Sequence, residues 1–323
     1  MTTPPVLELE NVKTYFTLQK GLFKTVTVKA VDGVTMKINR GETVAIVGES
    51  GSGKTTLGRT SLKLVPLTSG KIFFEGNDIS DLKGDLKWFR KKAQIIFQDP
   101  FMSLNPYMTI RNIVEEPMIV HNYSQEERRK KLEQALKDVR MSPVEEYLPK
   151  YPHMLSGGQR QRIGIARALV LDPVFIVADE PVSMIDASSR AEILYLFDGL
   201  QDKYGMGVMY ITHDLATAKY FSDYIAVMYL GKIVEFGKAL HVLNEPVHPY
   251  TQMLLDAVPD PDPANRFTNR AVIPGEPPSP INPPAGCAFR SRCPLGGECK
   301  NTMPGMIDLG DNHQVLCSLG ETE

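Results

Sequence analysis

A run of glycines, a lysine and a threonine forms the strongest chemical pattern in the sequence. Gly48–Thr55 read GESGSGKT and fit G-x-x-x-x-G-K-[ST]. Glycines let the backbone fold around phosphate groups with N–H groups pointing inward, and a following helix adds its positive end. The alternative, a glycine-rich turn, is disfavoured because an apolar strand precedes the run and a helix follows it. The run therefore predicts a phosphate loop, with Lys54 at the β- and γ-phosphates and Thr55 on Mg²⁺.

Further contacts to the bound nucleotide are expected along the same loop. Its candidate binding residues are Gly48, Ser50, Gly51, Ser52, Gly53, Lys54, Thr55 and Thr56.

Two adjacent carboxylates could complete the chemistry of phosphoryl transfer, which needs a group near the metal and a group that positions water. Asp179 ends the apolar run VFIVA, and Glu180 follows it directly. We expect Asp179 to hold Mg²⁺ through its water shell and Glu180 to orient or deprotonate the attacking water. A helix cap or a surface pair is the alternative for Asp-Glu alone, and a phosphate loop in the same chain weakens it.

The elements that must position these residues follow from the pattern of apolar residues. VLELENVKTYF and VTVKAVDGVTMKI predict strands of an N-terminal antiparallel layer. Thr43–Val47 predicts a buried strand before the phosphate loop, and a helix follows to about Leu64. Residues from about 105 to 155 predict helices, with a capping box formed by Ser124 and Glu127.

Alternating strands and helices elsewhere predict the fold class. VFIVAD and MGVMYITHD predict further strands, each preceded by a helix. We therefore expect an α/β fold with a P-loop NTPase core, a mostly parallel sheet, an N-terminal antiparallel β layer and an inserted α-helical subdomain at about 100–160. The core should span residues 1–240. Residues 241–323, called here the C-terminal extension, are rich in proline and cysteine and are predicted to be irregular.

Composition excludes some classes of function. Lys and Arg total 36 against 38 Asp and Glu, so the chain lacks the positive excess of a general nucleic-acid binder. The longest apolar runs are far shorter than the roughly 20 residues that cross a bilayer. The N-terminal residues do not resemble a secretory signal. The cytosol is the expected compartment.

Other motifs give the chain a family resemblance. It contains LSGGQ at Leu155–Gln159, followed by RQR, as well as IFQDP, SMID and ITHD. In type and order these motifs resemble those of the ATP-binding subunits of ABC transporters, from about Leu7 to Gly237. One departure is SMID, where Met184 and Ile185 stand in place of the usual Ala and Leu. Because Asp186 remains, we expect altered packing there and not loss of function.

The resemblance implies a role for each motif in binding and hydrolysing ATP. Gln98 would contact Mg²⁺ or the water, and His213 would contact the γ-phosphate. Phe16 would stack on adenine, with Tyr15 as a close competitor. The catalytic residues implied are Lys54, Gln98, Glu180 and His213, and the Mg²⁺ ligands are Thr55, Gln98 and Asp179.

The resemblance also implies that the chain works in pairs. The start of a helix at LSGGQ offers N–H groups and a positive dipole to an anion. In the family this segment faces the nucleotide held by the partner subunit, so ATP would join two subunits. The residues expected to act in this way are Ser156, Gly157, Gly158, Gln159 and Asp186.

The C-terminal extension narrows the branch of the family. EPVHPYTQMLLDAVPDPDP and GEPPSPINPPAGCAFRSRCP resemble the extension of the oligopeptide and dipeptide importers. This resemblance implies ATP-driven import of peptides, with nickel or oligosaccharide as alternative cargoes. Expected partners are a second, paralogous ATPase subunit, two membrane permeases and, indirectly, an extracellular binding protein. The chain would lie at the cytoplasmic face of the membrane. A soluble ABC ATPase of translation or DNA repair is the competing hypothesis.

All four cysteines lie in the extension, at Cys287, Cys293, Cys299 and Cys317. Their spacing lacks the C-x2-4-C knuckles of structural zinc, and four thiolates suffice for a [4Fe-4S] cluster. The resemblance to this branch implies such a cluster here, with zinc and unligated thiols as alternatives.

Overall fold

The structure is a computed structural model that describes residues 4–20, 24–82, 84–258, 275–281, 283–295 and 304–317. Its strands are β1 Leu7–Lys20, β2 Lys24–Ile38, β3 Thr43–Val47, β4 Ser69–Phe74, β5 Asn77–Asp78, β6 Ala93–Ile96, β7 Phe175–Asp179, β8 Gly207–Thr212, β9 Tyr224–Tyr229, β10 Lys232–Lys238, β11 Ile307–Asp308 and β12 Gln314–Val315. Its α-helices are α1 Lys54–Ser61, α2 Lys87–Lys92, α3 Ile110–Val120, α4 Gln125–Asp138, α5 Val144–Tyr147, α6 Gly157–Leu169, α7 Ala187–Tyr204, α8 Leu215–Phe221, α9 Ala239–Asn244 and α10 Pro249–Asp256.

The chain divides into two compact units. The first unit comprises Met1–Leu7, Ile38–Glu42 and Asp81–Met209, and the second comprises Glu8–Lys37, Thr43–Ser80 and Tyr210–Glu323. Each unit is made of separate stretches of the chain that pack together. The units therefore do not test the predicted domain boundary at residue 240, which stays a prediction. No helix in the described ranges is both long enough and apolar enough to span a membrane.

Two layers of strands build the second unit. One sheet has the order β2-β1-β4-β5, and β4 pairs with β5 in antiparallel fashion. The other runs β11-β12-β10-β9-β3, with β3 parallel to β9 and the remaining pairs antiparallel. All five residues of β3 are buried, as an apolar strand covered on both faces requires. The predicted antiparallel N-terminal layer is confirmed.

The first unit combines parallel strands with the helical subdomain. β6 pairs with β7 in parallel, with Ala93 opposite Phe175. Helices α3, α4 and α6 pack on one another and bury Val114, Leu136 and Ile163. The predicted capping box at Ser124 and Glu127 is present at the start of α4. The α/β fold with parallel strands, antiparallel strands and an inserted helical region is therefore as predicted.

The C-terminal extension contains more regular structure than its proline content predicted. Helix α10 begins at Pro249, where a proline costs no hydrogen bond, and the side chain of His248 accepts from Tyr250 N–H at 3.0 Å. Strand β12 pairs with β10, so that Val315 lies opposite Glu235. Buried side chains such as Tyr250 and Val315 explain these elements, since their burial favours order that local composition does not indicate.

Candidate nucleotide site

The phosphate loop lies in the second unit between buried β3 and helix α1. Gly48 has φ 151° and Gly53 has φ 106°. A Cβ on Gly48 would lie 2.2 Å from the Met228 carbonyl oxygen, and one on Gly53 would lie 2.1 Å from that of Ala30. Neither position can hold a larger residue, because these are distances at which a real Cβ atom clashes with backbone. The glycines therefore set the course of the loop.

Polar groups of the loop match the needs of a phosphate chain. Lys54 is buried, and its Nζ donates to the carbonyl oxygens of Gly48 at 2.7 Å and Glu49 at 2.8 Å. Ser52 Oγ is also buried and has no hydrogen-bond partner in the described part of the chain. A buried polar atom without a partner is costly unless a ligand completes it. Together with the positive end of α1, this arrangement fits a triphosphate.

The remaining residues of the loop differ in their exposure. Ser50 and Gly51 are exposed, whereas Thr55 and Thr56 are half-buried in the first turn of α1.

In the first unit, Gln98, Asp179 and Glu180 come together at the end of β7. Asp179 is the last residue of β7 and is 2 % exposed. Glu180 follows with a positive φ of 43°, and its Oε2 accepts a hydrogen bond from Gln98 Nε2 at 2.9 Å. The pair brings together two residues separated by 82 positions in the sequence.

The LSGGQ segment forms the start of helix α6, also in the first unit. Ser156 Oγ accepts from Gln159 N–H at 3.2 Å, and Gln159 Oε1 accepts from Ser156 N–H at 3.0 Å. A Cβ on Gly158 would lie 3.3 Å from Ser189 Cβ, so little space remains between α6 and α7. These bonds form a capping box that fixes the direction of the first N–H groups of α6.

Asp186 caps helix α7 next to this segment. Its Oδ1 accepts from Ser189 N–H at 3.0 Å. Of the two residues that depart from the family pattern, Ile185 is buried and Met184 is 55 % exposed.

The two candidate adenine aromatics of strand β1 lie in different surroundings. Tyr15 is half-buried, its hydroxyl donates to Asp32, and Lys29 Nζ lies 5.7 Å from its ring centre. Burial and the bond to Asp32 raise the pKa of Tyr15 to about 12. Phe16 is 37 % exposed. The exposed ring of Phe16 leaves a face for stacking, and its choice over Tyr15 stays a prediction.

His213 follows strand β8 and is exposed in the second unit. The next residue, Asp214, donates its N–H to Thr212 Oγ1 at 3.0 Å and accepts from Thr217 N–H at 3.4 Å. These bonds fix the turn on which His213 stands.

The predicted cysteine site is only partly described. Cys287 and Cys317 are buried, Cys293 is half-buried, and Cys299 lies outside the described residues. Among the described histidine, cysteine, aspartate and glutamate side chains, no group of three or more could hold a metal ion. Because Cys299 lies outside the described residues, the four-cysteine cluster site stays a prediction.

Sequence reasoning missed the polar contacts that attach the C-terminal extension. Arg292 pairs with Glu49 of the phosphate loop, and His313 pairs with Glu235 of β10. The paired residues are 243 and 78 positions apart. No periodicity or motif links such partners, so only the folded chain shows them.

Family models and curated relatives match this chain, and they agree with a nucleotide-binding site. The ABC transporter family model matches residues 31–183, and the model of the oligopeptide/dipeptide transporter C-terminal region matches residues 234–299. The oligopeptide transport ATP-binding protein AppF of Bacillus subtilis (strain 168) is 46 % identical over 97 % of this chain and 97 % of its own length. The chain belongs to the ABC transporter ATP-binding family. It is accordingly an ATP hydrolase of the ABC type.

A further curated relative and two solved structures are similar to this chain. The putative oligopeptide transport ATP-binding protein YkfD of Bacillus subtilis (strain 168) is 44 % identical over 98 % of this chain and 95 % of its own. Among solved structures, the dimeric post-hydrolysis state of the ATP-binding cassette MJ0796 bound to ADP and Pi is 31 % identical, with a TM-score of 0.64 over 72 % of this chain and 98 % of that one. The structure of cbiO1 from Clostridium perfringens is 28 % identical, with a TM-score of 0.65 over 75 % and 91 %.

Proposed function

We propose that this chain is the ATPase subunit of an importer that takes up dipeptides or oligopeptides through a membrane permease. The observation that carries the proposal is the phosphate loop, where Gly48 and Gly53 exclude side chains and Lys54 lies buried against the loop. The C-terminal region that matches the oligopeptide/dipeptide transporter model supports peptide as the cargo, as do the names of the relatives. Nickel and oligosaccharide remain the competing cargoes.

Hydrolysis would use the residues that the sequence motifs predict for the site. Lys54 would exchange its bonds to loop carbonyls for bonds to phosphate oxygens, and Ser52 Oγ would gain a partner. Glu180, held by Gln98, would accept a proton from the attacking water, and His213 would contact the γ-phosphate. Mg²⁺ would neutralise charge on the phosphates and would be held by Thr55, Gln98 and Asp179.

The working unit would be a pair of ATPase subunits. Ser156 to Gln159 and Asp186 would contact the nucleotide bound by the second subunit. The capping box at Ser156 supports this proposal because it fixes N–H groups at the start of α6. The second subunit would be a paralogue, as is usual in this branch.

The permease would contact the helical region of the first unit. Apolar side chains are exposed there, including Met102 at 86 % and Tyr107 at 90 %. Phe101 is 52 % exposed, and the guanidinium of Arg160 lies 4.2 Å from its ring centre. Large exposed apolar side chains close together indicate a surface that another protein covers. This contact would place the chain at the cytoplasmic face of the membrane.

The test is transport by the assembled importer. The full-length chain, its partner ATPase and the permeases are reconstituted in liposomes with a binding protein, and uptake of a labelled peptide is measured with and without ATP. Uptake should require ATP and should stop with Lys54→Ala. Uptake of nickel or oligosaccharide in place of peptide would contradict the assignment of peptide as the cargo. A chain that does not co-purify with membranes would favour a soluble ATPase.

The iron–sulfur cluster remains a proposal that rests on the sequence alone. Its candidate ligands are Cys287, Cys293, Cys299 and Cys317, and no step of hydrolysis is assigned to it. Anaerobic purification followed by iron analysis and visible absorbance tests it, and colourless protein without iron would contradict it.

A further inference from the structure

The C-terminal extension reaches the phosphate loop through one buried arginine. The side chain of Arg292 is 5 % exposed and donates two hydrogen bonds to the Glu49 carboxylate, from Nη1 to Oε2 at 2.8 Å and from Nη2 to Oε1 at 3.0 Å. Both residues belong to the second unit. A bidentate arginine–carboxylate pair fixes direction as well as distance. The extension therefore holds a side chain of the second residue of the loop.

The backbone of Glu49 is bound as well. Its N–H donates to Tyr250 Oη at 2.8 Å, and its carbonyl accepts from Lys54 Nζ at 2.8 Å. Tyr250 comes from the extension, whereas Lys54 belongs to the loop itself. Three separate groups of Glu49 thus have partners, and the extension supplies two of them.

Aromatic rings hold Arg292 and Tyr250 in place. The ring centres of Tyr229, Tyr250 and Phe289 lie 4.7 to 5.3 Å apart. The Arg292 guanidinium lies 5.9 Å from the rings of Tyr229 and Phe289. All three rings are buried, so the Arg292 side chain has few conformations available to it.

The charge of Glu49 gives this arrangement a consequence for nucleotide binding. A carboxylate in a phosphate loop repels the triphosphate that the loop must bind, and low dielectric increases that repulsion. Arg292 supplies the opposite charge directly on the carboxylate. Removing Arg292 would leave a negative charge at the loop and would release the loop from the extension.

We propose that Arg292 is a positioning residue for ATP binding, which neutralises Glu49 and holds the phosphate loop in its binding shape from the C-terminal extension. This inference rests on the proposed function, because it assigns a second contributor to the same nucleotide site. Arg292 does not touch the nucleotide in this proposal and acts through Glu49.

The experiment compares the affinity of the full-length chain for MgATP in four forms. Arg292→Gln should bind MgATP about tenfold more weakly than the unaltered chain, the effect of roughly one uncompensated charge nearby. Glu49→Gln alone should bind at least as well as the unaltered chain. The double variant should recover affinity to within about twofold, because no charge is left unpaired. In ATPase assays with the partner subunit, KM should rise for Arg292→Gln while kcat stays within about twofold.

A matched control and a salt series separate charge from folding. Arg290→Gln makes the same change two residues earlier in the same segment, outside the hydrogen bonds between Arg292 and Glu49, and should leave KM unchanged. The defect of Arg292→Gln should shrink as salt rises, since salt screens repulsion. If Arg292→Gln fails to fold, Arg292→Lys in the Glu49→Gln background tests the same coupling, and it should bind like Glu49→Gln alone.

The outcomes distinguish the two proposals. An unaltered chain that binds no MgATP overturns the proposed function and this inference together. An unaltered chain that binds MgATP, with Arg292→Gln equal to it or the double variant no better than Arg292→Gln, overturns only the inference.

Discussion

Contacts in the phosphate loop join residues close in sequence, whereas the C-terminal extension is attached by bonds between residues far apart. Lys54 and Gly48 are six positions apart, and His313 and Glu235 are 78 apart. The loop needs glycines and a helix start, which are local properties. The extension needs buried polar partners from other elements. Loss of a loop residue should therefore change chemistry with little effect on stability. Loss of an attachment away from the loop, such as the pair of His313 and Glu235, should do the reverse.

Glu180→Gln should produce the largest effect on the chemistry. This change keeps the size of the side chain and removes the proposed base, so ATP turnover should fall by about a thousandfold. Binding of MgATP and the free energy of unfolding should stay close to those of the unaltered chain. Phosphate release under saturating ATP and urea unfolding measure the two effects. Turnover that is unchanged would contradict the assignment of Glu180.

Glu235→Ala should produce the largest effect on stability. The Glu235 carboxylate is fully buried and accepts from Val247 N–H at 2.9 Å and His248 N–H at 3.0 Å, and it pairs with His313 Nε2 at 2.8 Å. Removing one partner of a buried pair costs about 3 to 5 kcal/mol. Urea unfolding should show this loss. Glu245→Ala makes the same change at an exposed residue of the same unit, serves as a surface control and should change stability little.

Acid should weaken the attachment through His248. Burial lowers the pKa of His248 from its ordinary value of 6.5 to about 4, so the folded chain holds this histidine neutral at physiological pH. Its contribution to stability is complete above pH 6.5 and is lost as the pH falls towards 4. The loss amounts to about 3 kcal/mol for a shift of this size. Urea unfolding across that range should show a shallower slope for His248→Asn, which retains a helix-capping side chain.

A slope that is equal in the two proteins would show that His248 does not titrate in this way.

The smallest expected effect comes from two matching serine caps. Ser156 and Ser124 each form a capping box, so Ser156→Ala and Ser124→Ala should each cost about 1 kcal/mol of stability. Only Ser156 is proposed to contact the nucleotide of the partner subunit. Turnover by the paired subunits should therefore fall for Ser156→Ala alone. Equal turnover in both variants would leave Ser156 as a cap without a catalytic contact.

The same comparison explains what could be predicted from the sequence. Strand β3 was predicted with the bounds that the structure gives, because an apolar run before a glycine loop is a local signal. The helix after the loop was predicted to about Leu64 and ends at Ser61, since Lys63 adopts a φ of 55°. The contact of Gln98 with Glu180 required the fold, although both residues were singled out by their motifs.

The extension was harder to predict for a physical reason. Arg292 and Glu49 carry no pattern that distinguishes them from surface charges, and only packing shows that they meet. Helix α10 is eight residues long, and its burial depends on Tyr229 and Phe289. Short elements that depend on distant partners have weak local signals.

Strand β12 has a consequence for how the protein behaves when the extension is lost. β10 is a seven-residue strand with buried apolar residues, and one of its sides is hydrogen-bonded to the two-residue β12. Cleavage before residue 304 would bare backbone groups of Val234 to Phe236 along that side. An apolar strand with an open edge pairs readily with strands of other molecules. The C-terminal extension thus protects the sheet from self-association, and proteolytic removal of β12 would favour aggregation.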